Sequence, residues 1–404
     1  MTATAPAVRR VTYREVLAEP RFRLLFLTRS LAIGADTLRT VALSVLIFTV
    51  TGSPLLAAIT YGAAFLPQAA GGMLLGALAD RLPPRPLITA GYGLEAATAA
   101  ALALAGFPAP ASLALVAAIA TLTPVFSGAS SRLIAETLSG DAYVLGRSLA
   151  NIATAAAQLL GLAAGGATVA ALGARHALLV TAAGHLAAAI AVRTWLADLP
   201  APARPAGHQR ASLLRQSWTV NRQLLTDPAV RILLLAMWLP PAFITGAESL
   251  IVPYAAQHGF PASAPGLLLA CVPLGMIAGD FAIGRLLRPA ARERLTIPLM
   301  TVAGLPLLAF AAGPPLPAAA GLLVLTGIGP AYLLGIQRRF LEAVPAPVLG
   351  QAFGLLSTGL MTFQGAGPAL FGAITQVTSA GGAITLAGLA TIITALSLFP
   401  AFRN

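Results

Sequence analysis

Residues 22–49, FRLLFLTRSLAIGADTLRTVALSVLIFT, decide the fold. The run exceeds the ~20 apolar residues that carry a helix across a hydrocarbon core. Arginines crowd its start, at Arg14, Arg21 and Arg23, whereas residues 50–79 contain none. Asp36 stands about 14 residues into the run, near the bilayer midplane at a rise of ~1.5 Å per residue. A carboxylate facing lipid at that depth costs several kcal/mol, so Asp36 must face the interior, pair, or carry a proton. Arg39, three residues on, is its natural partner. Two readings of the pair stand: it lines a substrate or proton path, or it is a static buried ion pair. Arg29, one turn inside the boundary, either snorkels or holds a neighbouring helix.

The same pattern repeats outward. Cutting the chain at polar or Pro/Gly-rich breaks gives twelve spans, near 22–49, 54–79, 86–106, 111–134, 145–171, 175–195, 230–252, 264–284, 295–313, 316–337, 349–376 and 381–401. With 57% hydrophobic and 9% charged residues and a mean hydropathy of +0.84, the 404-residue chain has too much apolar surface for one water-soluble core. The expected fold class is an all-α membrane protein whose twelve transmembrane helices form two pseudo-symmetric six-helix bundles. Lipid is its solvent.

The net charge of +12 does not indicate nucleic acid, because the basic residues are dispersed among the spans rather than gathered on one face. All 25 are arginine. With the first residue placed inside, only Arg175 falls outside and Arg29 and Arg39 lie within span one; the others sit in inner loops or at inner helix ends. This bias places both termini in the cytoplasm, in a multi-pass protein of a bacterial cytoplasmic membrane. The single cysteine, Cys271, leaves no intramolecular disulfide or Cys-based metal motif. The polar start MTATAPAVRRVTYREVLAEP does not read as a cleaved signal peptide.

The long polar break divides the chain into an N-terminal bundle (1–195), a cytoplasmic linker (196–229) and a C-terminal bundle (230–404). Within the linker, Leu214, Trp218 and Leu225 recur on one helical face, which reads as a flexible segment followed by an interfacial helix. The halves echo one another. GMLLG at 72–76 matches GMIAG at 275–279, FRLLFL at 22–27 matches VRILLL at 230–235, and Gln158-Leu-Leu-Gly161 matches Gln364-Gly-Ala-Gly367. The three offsets all lie near half the chain, as a duplicated six-helix unit requires.

Between spans two and three stands Gly76-Ala-Leu78-Ala-Asp80-Arg81-Leu-Pro83-Pro-Arg85, which resembles the G-x-L-x-D-R-x-G-R-R signature of the major facilitator superfamily. Gly34-Ala-Asp36 through Thr51-Gly52-Ser53-Pro54, and Gln337-Arg338-Arg339 to Gly350-Gln351-Ala352-Phe353-Gly354, look like its multidrug, macrolide and siderophore exporter branch. Pro83 replaces the second glycine of the signature, and only Arg85 remains of its basic pair. The Gly-Pro pair that marks span five of many antiporters is absent there; Gly367-Pro368 stands in span eleven instead. The resemblance implies a cytoplasmic gate in which Gly76 lets helices approach, and Asp80, with Arg81 and Arg85 nearby, meets the N-terminal end of span eleven in the outward-facing state.

The other candidates are read from position. Glu95 sits about nine residues into span three with no opposite charge within a turn, which suits a carboxyl that loads and releases protons. Glu248, near the outer end of span seven, reads as an outer gate or a solvated carboxylate. His185, mid-span six, reads first as a packing residue and second as a proton relay. Gln158, Asn151, Thr362 and Gln364 either contact substrate or bond helix to helix, and Gly161, Gly165, Gly367 and Pro368 are packing and hinge sites. No nucleotide-binding loop, metal cluster or cofactor motif is expected, so neither enzyme activity nor ATP hydrolysis is read.

The expected function is secondary transport by alternating access: proton-coupled export of a moderately hydrophobic small molecule, such as a drug, macrolide or siderophore, by a monomer. An importer or facilitator of the same fold, and a non-transporting membrane receptor, are the alternatives.

Overall fold

A computed structural model describes residues 12–75, 78, 82–138, 140–200, 210–287, 289–345 and 348–403, and among them every regular element is helical. The N-terminal half contains α1 (Tyr13–Ala18), α2 (Pro20–Thr51), α3 (Pro54–Gly62), α4 (Phe65–Leu75), α5 (Pro84–Leu104), α6 (Ala109–Thr137), α7 (Gly140–Leu172) and α8 (Ala174–Trp195). After α9 (Arg210–Thr226) follow α10 (Pro228–Ser249), α11 (Ile251–Gln257), α12 (Ala264–Leu286), α13 (Pro289–Arg294), α14 (Thr296–Gly304), α15 (Leu316–Ile328), α16 (Leu333–Ala343), α17 (Leu349–Ile374) and α18 (Ala380–Arg403).

Nine of the helical stretches described are long and apolar enough to cross a membrane, and Thr296–Ala312 is a shorter apolar helix. Several expected spans are interrupted, each time beside a proline. Pro67 follows the turn between α3 and α4, Pro306 opens the tighter 3-10 segment Leu305–Ala312 after α14, and Pro330 lies in the 3-10 turn Gly329–Tyr332 between α15 and α16. Proline lacks an amide hydrogen and clashes with the carbonyl a turn earlier, so a helix gives way there.

Glycines set the helix spacing within each half. A Cβ on Gly71 of α4 would lie 1.8 Å from the Thr121 carbonyl oxygen of α6, and one on Gly275 of α12 would lie 2.1 Å from that of Val324 on α15. Likewise a Cβ on Gly161 of α7 would meet the Gly34 carbonyl of α2 at 2.6 Å, and one on Gly367 of α17 the Ala242 carbonyl of α10 at 2.2 Å. Gly161 and Gly367 are the ends of the two Gln-x-x-Gly matches, so the sequence echo has a physical counterpart: each glycine lets its helix touch the first long helix of its own half. Gly165 packs more loosely, on Val41 and Leu38.

The halves meet along the helix ends that carry Leu172, Ser249 and Ile374. A Cβ on Gly266 of α12 would sit 2.3 Å from the Gly166 Cα of α7, and one on Gly62 of α3 would sit 2.8 Å from Pro368 of α17. Fourteen residues from these glycines, about four turns further along nearly the same helix faces, Ile152 is 60% exposed and Asp280 is also exposed. The seam is therefore tight at one end and parted toward the other.

The linker helix α9 packs on the C-terminal half. Leu224 is buried, and the Gln351 amide of α17 donates to Asn221 Oδ1 at 2.8 Å. Trp218 and Leu225 point outward while Val220 and Leu224 face the protein, so the helix has two apolar faces rather than one. The segment 201–209, expected to be flexible, lies outside the described residues, as does the side chain of Leu214.

Candidate functional site

The interior of the N-terminal half holds a buried charge network. Arg39 of α2 is 7% exposed, and its Nη2 lies 3.0 Å from Asp36 Oδ1 one turn back. Its Nη1 bonds Glu95 Oε2 on α5. On the other side of that carboxylate, the Thr123 hydroxyl of α6 donates to Oε1 at 3.0 Å. His185 of α8, 1% exposed, brings Nε2 within 3.3 Å of Asp36 Oδ1. The Tyr92 ring lies 6.4 Å from the imidazole. Four helices thus contribute to one network centred on this guanidinium.

Small residues make the convergence possible. A Cβ on Gly91, one turn before Glu95, would lie 2.3 Å from Phe126 of α6. Ala35 beside Asp36 faces Gly184 beside His185, and the Thr181 hydroxyl of α8 donates to the Ala35 carbonyl at 3.3 Å. A larger side chain at any of these positions would push a charged group away from its partner.

Glu95 is not the isolated carboxylate that its own helix implies. Its partner is supplied by α2, 56 residues earlier, and the ion pair with a hydroxyl on the far oxygen satisfies most of its bonding capacity. Nor is His185 a satisfied packing residue: neither ring nitrogen has a hydrogen-bond partner among the described residues, although Nε2 stands at ion-pair distance from Asp36. Asp36 is the member in touch with open space, with 35% of its side chain accessible while Oδ1 is buried. Ligand atoms of Asp36, Glu95 and His185 lie within 4.8 Å of one another. The guanidinium of Arg39 bonds both carboxylates, so a metal ion there would have to displace it.

The remaining candidates lie elsewhere. Glu248 of α10 is half-buried and interacts with the Tyr61 hydroxyl of α3, so it spans the seam between the halves. Gln364 Nε2 reaches Thr245 Oγ1 at 3.4 Å, joining α17 to α10, while Gln158 and Thr362 are exposed. Arg85 donates from Nη2 to the Arg193 carbonyl at 2.6 Å and lies 3.9 Å from Asp198, so it caps the end of α8 within its own half. Gly76, Asp80 and Arg81 of the expected gate motif lie outside the described residues, as does the side chain of Asn151. Sequence reading missed Thr123 and Tyr61: a hydroxyl inside an apolar helix carries no signal of what it faces.

A helical bundle that crosses the bilayer many times, encloses charge at mid-membrane and divides into two halves related by repeated glycine contacts is the architecture of a membrane transporter. Residues 25–329 match the family model of the Major Facilitator Superfamily, and the chain belongs to that family. Among solved structures it is similar to a peptide transporter, POT, in complex with sulfate, with 14% identity, a TM-score of 0.71 and coverage of 96% of this chain and 98% of that one. It is similar also to a mutant of the nucleoside transporter NupG, with 13% identity, a TM-score of 0.75 and coverage of 95% and 100%. At these identities the likeness shows the fold alone. No curated protein matches the sequence.

Proposed function

We propose that the protein is a proton-coupled exporter of a moderately hydrophobic small molecule, such as a drug, macrolide or siderophore, and that the Asp36-Arg39-Glu95-His185 network carries the proton. Twelve crossings, both termini in the cytoplasm and a monomeric unit complete the reading. The observation that carries it is the charge count of the network. Two carboxylates face one guanidinium, which leaves one negative charge, and His185 stands where a protonated imidazole balances it. In a low-dielectric interior a balanced network is far cheaper than an unbalanced one. One proton is therefore the natural exchangeable unit, and Asp36, with its accessible edge, is where the exchange begins.

The seam supports alternating access. Glycine contacts close one end of the interface, while Ile152 and Asp280 stand exposed toward the other, as in a bundle pair open to the cytoplasm. Rocking about the central region would part Gly166 from Gly266 and Gly62 from Pro368. Binding of cargo beside Asp36 and protonation of the network would then be competing ways to settle the same charge, which is the logic of antiport. The few buried charges elsewhere suit a largely apolar cargo.

The test uses inside-out membrane vesicles energised to acidify the lumen, with a pH-quenched dye, as macrolides, cationic drugs and siderophores are added. Dequenching by one compound, lost in Asp36→Asn and Glu95→Gln vesicles, is the expected result. Dequenching that persists in both variants removes the network from coupling. Silence across the panel with folded protein present points to an importer or facilitator, or to a receptor that moves nothing.

A further inference from the structure

Two turns along α2 from Asp36, on the same helix face, a separate cavity of about 130 Å³ opens between α2, α6 and α7. Its wall includes Phe22, Phe26, Arg29, Ser130, Ser131 and Thr154. Ser130 is 3% exposed and its Oγ has no hydrogen-bond partner among the described residues. That is unusual in this chain: helical Thr28, Ser30, Thr121, Thr137 and others return their hydroxyls to a backbone carbonyl three or four residues earlier. Arg29 likewise makes no salt bridge or hydrogen bond among the described residues, although it lies close enough to Asp36 and Tyr92 to act on them electrostatically. Phe22 and Phe26 stack beside it at 5.7 Å.

We infer that this cavity is a binding site for the oxyanion head of an amphipathic molecule, with Arg29 and Ser130 as its donors and the Phe22-Phe26 pair receiving the adjoining apolar part. An unpaired guanidinium offers two parallel N–H groups to a carboxylate or phosphate, and a buried hydroxyl without an acceptor supplies a further donor. The volume is below the ~300 Å³ at which drug-sized pockets begin, so the site takes a head group and one ring or short chain rather than a whole drug. Lying between the parted end of the seam and Asp36, it is a first station for cargo on the way to the network, and it narrows the cargo to molecules that carry both an anionic end, held here, and a cationic group that settles the charge at Asp36. Only that assignment as cargo rests on the export reading; binding itself does not.

The experiment titrates the full-length protein, in phosphatidylcholine nanodiscs, with benzoate and with the neutral isostere benzamide, read by isothermal titration without any gradient. Benzoate binds and benzamide binds at least about tenfold more weakly, the usual worth of a charge-assisted pair. Arg29→Gln weakens benzoate about tenfold, and Ser130→Ala, a change too small to disturb folding, about threefold. Arg339→Gln in the other half leaves binding unchanged. Equal binding of the two probes, or wild-type affinity in Arg29→Gln, overturns the site. Repeating the titration with phosphatidylglycerol in the nanodisc separates the sources: loss of benzoate binding there means that the head of an anionic lipid takes the site, which overturns the cargo assignment. Benzoate binding in a protein that is silent in the vesicle assay sinks export and leaves the site standing.

Discussion

The two halves solve the same packing problem and fill their interiors differently. In both, a glycine three residues after a glutamine lets one long helix touch the carbonyls of another, Gly161 against Gly34 and Gly367 against Ala242. Yet α2 places Asp36 and Arg39 at its middle, whereas the matching helix of the second half, α10, has Ile244 and Ala247 at the corresponding position, both buried in an apolar cluster. Buried polar groups of the second half are hydroxyls and aromatic donors, most of them tied to backbone: Ser249 Oγ donates to the Gly246 carbonyl at 2.6 Å, Trp238 Nε1 to that of Leu356 at 2.9 Å and the Tyr332 hydroxyl to that of Ala236 at 2.7 Å. Such bonds fix a helix position and have no charge to exchange. Two halves with like glycine contacts thus differ inside: among the described residues, the buried ion-pair network stands in the first half only.

Breaking the network should have the largest effect. Arg39→Leu removes the cation that Asp36 and Glu95 share and leaves the buried Glu95 without one, and by analogy with soluble proteins should cost about 3–5 kcal/mol, read as a lower thermal unfolding midpoint in detergent, together with loss of transport. The comparison sharpens if the three charged positions are replaced together. Asp36→Leu, Arg39→Leu and Glu95→Leu in one chain makes the first half resemble the second, and should recover most of that stability while remaining silent in the vesicle assay. A triple variant that still moves protons would show that the charged half has no special role.

Gly266→Val should come next. Its added Cβ lies 2.3 Å from Gly166, backbone against backbone, so the tight end of the seam cannot close and transport should fall by more than about tenfold while the bundles stay folded. Cysteines placed across the seam would cross-link less readily in the variant; unchanged cross-linking would count against the seam as a moving contact. The smallest effect belongs to the second half: Tyr332→Phe removes one backbone hydrogen bond, about 1 kcal/mol, and should leave proton coupling as it was.

Hydropathy and arginine placement made the helical membrane fold legible, because lipid forces each span to be long and apolar. Where spans break, at Pro67, Pro306 and Pro330, the residue was visible but the break was not, since many other prolines here sit within unbroken helices, including Pro124, Pro240, Pro273 and Pro368. Asp36 and Arg39 could be paired from sequence because three residues is one helical turn. Glu95 could not be paired, its cation lying on another helix, and the same distance hid Thr123 from Glu95, His185 from Asp36 and Tyr61 from Glu248. Arg85, grouped with the gate motif in the sequence, caps α8 within its own half, and the acid of that motif, Asp80, lies outside the described residues.

The most direct test of the network as the proton carrier is to count protons. The purified protein, in weakly buffered detergent solution near neutral pH, is saturated with whichever compound dequenches the vesicle dye, and the pH change is recorded. About one proton released per wild-type molecule, and none from Asp36→Asn or Glu95→Gln under binding saturation, is the result expected of a network in which cargo and proton settle one charge. Equal release from the variants and the wild type would contradict it and place the exchangeable proton outside the network.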